Sequence, residues 1–146
     1  MKVLSNITIY FILTIFFIFS TSCEELSMDN FEDLSIDEVA QLIDQEVGNA
    51  RAESLSSCSV VAIGAKPCGG PWGYLVYSEE ESDPEKLKLL VERYNELDEI
   101  RMKEEGYGST CDYATEPTLT LENGSCHGEG YAWNAGDIIE RHNLNN

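Results

Sequence analysis

The chain has 146 residues, with 27 acidic against nine basic side chains and a formal net charge of −18. That length is about one domain's worth, and so negative a surface repels phosphates, which excludes nucleic acid and anionic lipid headgroups as partners. The five cysteines are an odd number, which in an exported protein requires an explanation.

In chain order, Met1-Lys2 leads into a nearly unbroken apolar run from Ile7 to Phe19, then into the small residues Ser20-Thr21-Ser22 before Cys23. A basic start, an apolar stretch and a small-residue exit predict a secretory signal peptide over residues 1–22. The run is shorter than the roughly 20 residues needed to cross about 30 Å of hydrocarbon. Glu24 and Glu25, not basic residues, follow it. Removing the signal takes Lys2 and no acid, so the exported chain is more acidic still.

Ser20-Thr21-Ser22-Cys23 resembles the lipobox of bacterial lipoproteins, with Ser20 where that family most often has Leu. The resemblance implies that Cys23 becomes a lipidated N-terminus. Acyl chains, at about 0.8 kcal/mol per buried methylene, then hold the protein durably on a membrane. Lipidation of Cys23 also leaves an even set: Cys58, Cys68, Cys111 and Cys126. Residues 23–34, with Glu24, Glu25, Asp29, Glu32 and Asp33, read as a solvated acidic tether. Acidic pairs just after the cysteine resemble surface-export signals. The expected address is an outer-membrane or cell-envelope lipoprotein, facing the periplasm or the surface.

The domain is expected over residues 35–146. Ser35-Ile36-Asp37-Glu38 is a capping box, and Ile36, Val39, Leu42, Ile43 and Val47 behind it recur at helical spacing; Gly48 ends that helix. Ser59–Ile63 and Tyr74–Tyr77 are short, apolar or aromatic runs that predict strands. Between them, residues 66–73 hold two prolines and three glycines and cannot be regular structure. Asp83 as N-cap and Pro84 at the first position open a second helix. Its apolar stripe is expected to be Leu87, Leu90, Val91, Tyr94, Leu97 and Ile100, with Gly106 as its stop. Thr118–Leu121 alternates as a third strand before an Asn123-Gly124 turn. From about residue 127 the chain is Gly- and Asn-rich and reads as an irregular tail with a helical turn or two. The order α-β-β-α-β predicts an α+β fold: a small disulfide-stapled domain with a short antiparallel sheet packed on one or two helices.

Four cysteines in an exported chain predict two disulfides, and sequence alone admits three pairings. If the first and third strands run antiparallel, Cys58 meets Cys126 at one edge, which leaves Cys68 for Cys111. The local pairs 58–68 and 111–126 are the alternative. The spacing lacks a Cys-x-x-Cys pair, so no metal or other cofactor is expected.

The run Cys58-x-Val60-x-Ala62-x-Gly64-x-Lys66-Pro67-Cys68-Gly69-Gly70-Pro71, with Tyr74, Tyr77-Ser78, Tyr94-Asn95 and Ser109-x-Cys111, resembles small exported bacterial proteins that are uncharacterised. The resemblance covers roughly residues 58 to 126 and implies a shared disulfide fold, with no activity.

The loop of Lys66, Pro67, Gly69, Gly70, Pro71, Trp72 and, just beyond it, Tyr74 is the candidate binding element, for a protein partner. A disulfide at Cys68 would lower its ordering cost on binding, and Trp is the residue type most enriched at hot spots. The competing structural role is that the glycines and proline turn the chain while Trp72 packs inside. The function expected is a non-catalytic binding or interaction lipoprotein; the alternative is an inhibitor of an exported hydrolase, a protease or lysozyme. An enzyme is the poorest reading. Only His127 and His142 are of the residue type suited to acid–base work at neutral pH, and Cys126, beside His127, is better used in a disulfide than as a nucleophile. Asp29–Asp33 lacks the glycine and closing glutamate of a calcium loop.

Overall fold

The computed structural model describes residues 28–106, 108–109 and 111–143. The expected signal peptide and Cys23 lie outside the described residues.

Both predicted helices begin as their caps dictate. α1 runs Ile36–Val47. The Ser35 hydroxyl accepts from the Glu38 amide at 3.3 Å, and the Glu38 carboxylate accepts from the Ser35 amide at 2.9 Å. Val39, Ala40, Ile43 and Val47 form its buried face, and Gly48 closes it. α2 runs Pro84–Glu105, with the Asp83 carboxylate accepting from the amides of Glu85 and Lys86 and Gly106 in the left-handed C-cap. Leu87, Leu90, Val91 and Tyr94 are buried as expected. Ile100 is not: it is 50 % exposed, because at about 100° per residue it has turned well away from the Tyr94 line. Asp98 and Met102 continue that line instead.

β1 (Cys58–Ile63) and β2 (Gly73–Ser78) pair antiparallel, with Val60 opposite Val76. The expected third strand does not join them. β3 (Leu119–Glu122) pairs with β4 (Ser125–Gly128) in a separate hairpin around Asn123-Gly124, both at positive φ. The tail from 127 is more regular than expected. β5 (Ala132–Trp133) adds to β2 in parallel, and α3 (Ala135–Asn143) follows. The sheet order is β1-β2-β5. A return strand this short scarcely alternates, so its residues carry no period to read.

Strand alternation divides the sheet's faces. Cys58, Val60 and Val76 turn towards the hairpin: Cys58 is bonded to Cys126 of β4, and Val76 packs against Gly128. Val61, Ile63, Leu75 and Trp133 turn towards the helices. Ile43, Ile63, Leu75, Leu87, Leu90, Tyr94 and Ile138 are fully buried there. This is an α+β domain, stapled by Cys58–Cys126 and Cys68–Cys111, each with Cα atoms 5.5 Å apart.

Part of the stretch read as a tether belongs to this domain. Met28–Phe31 form a 3-10 turn, Phe31 is only 8 % exposed, and Arg93 of α2 donates to the carbonyls of Phe31 and Glu32. Phe31 in the core and Leu34 packed against it supply the apolar area by which the segment docks.

Candidate binding surface

The loop after β1 opens with a close approach. Gly64 lies at φ 81°, and a Cβ there would stand 2.4 Å from the Trp72 ring, so only glycine fits. The Lys66 amide then donates to the Gly70 carbonyl and the Gly69 amide to the Lys66 carbonyl. This tight turn needs positive φ at Gly69 and Gly70. Pro67, Cys68, Gly69 and Gly70 are exposed, and a Cβ at either of those two glycines would meet nothing within 4 Å.

Three ties hold that tip. Cys68 is bonded to Cys111. Lys66, expected on the loop's surface, is 7 % exposed. Its Nζ donates to the Asp112 carbonyl at 2.8 Å and to Asp112 Oδ1 at 3.2 Å. It also lies 5.5 Å from the Trp72 ring centre and 5.7 Å from that of Tyr131, within cation–π range. The third tie is Asp98, whose side chain is fully buried. Its Oδ2 accepts from the Ala65 amide at 2.8 Å and the Trp72 indole N–H at 3.1 Å. Its Oδ1 accepts from Arg101 at 2.7 Å and faces Arg141 of α3 at 3.6 Å. A buried carboxylate is tolerable only when paired and hydrogen-bonded on both oxygens, as here.

Trp72 is therefore not displayed as an anchor for a partner. It is half-buried, wedged between Lys66 and Arg141, whose guanidinium stacks 4.6 Å from its ring centre. The same guanidinium reaches Trp133 at 5.6 Å. Tyr74 donates to the Ala114 carbonyl at 3.5 Å, and Ala114 is buried. The Tyr131 hydroxyl donates to Asp112 Oδ2 at 2.7 Å. That hydrogen bond, and then the Asp112 charge, raise the Tyr131 phenol above its ordinary value. Burial, then the charge of Asp98, does the same to Tyr94, which stays neutral. Residues 111–118, without helix or strand, are thus fastened beside the loop. They carry Tyr113, the most exposed large apolar side chain among the described residues at 80 %.

Two of these residues had a signal in the sequence. Asp98 stands four positions after Tyr94, on the apolar line of α2, where a solvated acid is out of place. Arg101 follows at i+3, where it can pair. Asp112 and Arg141 had none: they meet Lys66 and Trp72 only through the fold.

His127 lies in β4 and lines a cavity of about 200 Å³ with Val47, Gly48, Asn49, Val76 and Asn134. Its neighbour Cys126 is disulfide-bonded, so the two form no nucleophile–base pair. The His142 side chain lies outside the described residues. Among the described residues no group of three or more His, Cys, Asp or Glu is placed to hold a metal ion, and no helix is long and apolar enough to cross a membrane. No protein-family model matches the chain, and neither a curated protein nor a solved structure matches it.

Proposed function

We propose that this chain is an exported, lipid-anchored binding protein without catalysis of its own. It is held in the envelope through Cys23 and presents the loop tip 67–70 beside residues 111–113 to a protein partner. One observation carries the reading: the tip is open to solvent while the chain on both sides of it is fixed by Cys68–Cys111, Lys66–Asp112 and the Asp98 hub. An exposed segment that is already ordered gives up little conformational entropy on binding. Tyr113 supplies the aromatic area that such a surface needs. Inhibition of an exported hydrolase is a second use of the same tip, favoured by the open space around Gly69 and Gly70, which lets the turn enter a cleft.

The test is a photo-crosslinking residue placed at Gly69, and separately at exposed Lys88 on the far part of α2, in the full chain. A single envelope protein captured from Gly69 and not from Lys88, and lost when Tyr113 becomes Ala, is the expected result. Equal capture from both positions would sink the proposal. Cys23→Ser is expected to end lipid labelling and move the protein from the membrane to the soluble fraction. Unchanged labelling would refute the anchor.

A further inference from the structure

β1 is an outer strand whose only paired neighbour among the described residues is β2. The register sends the backbone groups of Ser57, Ser59, Val61 and Ile63 inward: the Ser57 carbonyl accepts from Glu79 at 2.9 Å and the Ile63 carbonyl from Trp72 at 3.0 Å. Those of Val60 and Ala62 therefore point away from the sheet.

The far end of this outer edge is already treated as a paired strand. The Asn95 side-chain amide accepts from the Gly64 N–H at 2.6 Å and donates to the Ala62 carbonyl at 3.3 Å. Those are the two bonds that a parallel neighbour would make around Ile63. Further back nothing plays this part. The Val60 N–H and C=O and the Ala62 N–H have no partner among the described residues. Nor does the strand carry the usual guards of an edge: Cys58–Ile63 contains no Lys, no Pro and no charge. Its Ala62 side chain is exposed.

We propose that this open edge takes up an extended Lys- or Arg-rich segment of a partner protein as an added strand. Charge selects that occupant. Glu92 lies one turn before Asn95 on the same side of α2 and is exposed. Glu79 stands at the other end, held by the Ser59 hydroxyl at 2.6 Å. The whole chain carries −18, so a second copy would bring like charge to a short edge, whereas a basic strand gains at both ends. This surface is separate from the stapled loop and does not depend on it.

The test is amide hydrogen exchange on the full chain in a mild non-ionic detergent, with a short blocked peptide of alternating Lys and Val as the probe. The Val60 and Ala62 amides are expected to exchange about tenfold more slowly with the peptide, while Val61 and Ile63, already paired, do not change. Ala62→Lys, at an exposed position, is expected to weaken the peptide about tenfold at low salt. A charge-matched peptide with Pro in place of Val, which cannot pair along an edge, is expected to leave both amides unaffected. Equal protection by the Pro peptide would mean charge attraction alone and overturn the proposal. So would Val60 and Ala62 amides that are slow before any peptide is added: protection growing with protein concentration would put a second copy on the edge, and constant protection another segment of this chain.

Discussion

Replacing Trp72 by Ala tests whether the 64–73 loop is held from beneath by this side chain. Three losses combine. The indole N–H bond to the Asp98 carboxylate, which is also paired with Arg101, is a charge-assisted bond worth about 1.5–3 kcal/mol. The stacking of Arg141 on the ring, at 4.6 Å, is worth about 1 kcal/mol at a partly buried site. The buried half of the indole contributes about 1.5 kcal/mol by area. Non-additivity trims the total to about 4 kcal/mol. At about 3 °C per kcal/mol for a domain of this size, the melting temperature is expected to fall by about 12 °C. Trp72→Phe keeps the ring between its two cations and loses the N–H donor, so its fall is expected to be about half as large. Thermal unfolding followed by near-ultraviolet circular dichroism reads both. If both variants melt within about 3 °C of the parent, Trp72 is not the wedge and the loop is held by the Cys68–Cys111 bridge, Lys66–Asp112 and the Ala65–Asp98 bond without it.

Asp98→Asn removes the charge that Arg101 and Arg141 share and is expected to cost about 3–5 kcal/mol, read from the urea midpoint; a loss below about 1 kcal/mol would refute the hub. Non-reducing mass analysis is expected to find no free thiol among Cys58, Cys68, Cys111 and Cys126. Under mild reductant the exposed Cys68–Cys111 bridge opens before Cys58–Cys126, whose two cysteines are 8 % and 2 % exposed; the reverse order would contradict the burial. The Glu38 carboxyl is held below its ordinary 4.5 by the Ser35 hydroxyl and amide, and Glu80 chiefly by Ser57. A depressed carboxyl stabilises the fold above the unfolded value, and that share is lost as pH falls through the folded one. Stability is therefore expected to decline on acidification below about pH 4.5, and Ser35→Ala to flatten that decline; an unchanged slope would refute the assignment.

Much of the secondary structure was legible because its signals are local. Ser35 and Glu38, Asp83-Pro84 and Asn123-Gly124 each satisfy backbone groups within a few residues, so three or four adjacent letters specify the geometry. Strand order also favours the Cys58–Cys126 and Cys68–Cys111 pairing, although the hairpin that delivers Cys126 is separate from the sheet that holds β1.

What only the tertiary structure decided is the support beneath the loop. In the sequence Lys66 reads as a loop surface residue and Trp72 as either displayed or packed inside, because nothing near them in the chain can pair with them. Their partners are Asp112, 46 residues from Lys66, Asp98, 26 from Trp72, and Arg141 on a helix hidden in a Gly- and Asn-rich tail. A buried charge is stabilised by whatever opposite charge and donors the packing brings within about 4 Å. Periodicity and capping report only on neighbours along the chain, so the Asp98–Arg141 pair between α2 and α3 and the Lys66–Asp112 pair between two loops leave no trace in them beyond one acid on an apolar stripe and the arginine three residues after it.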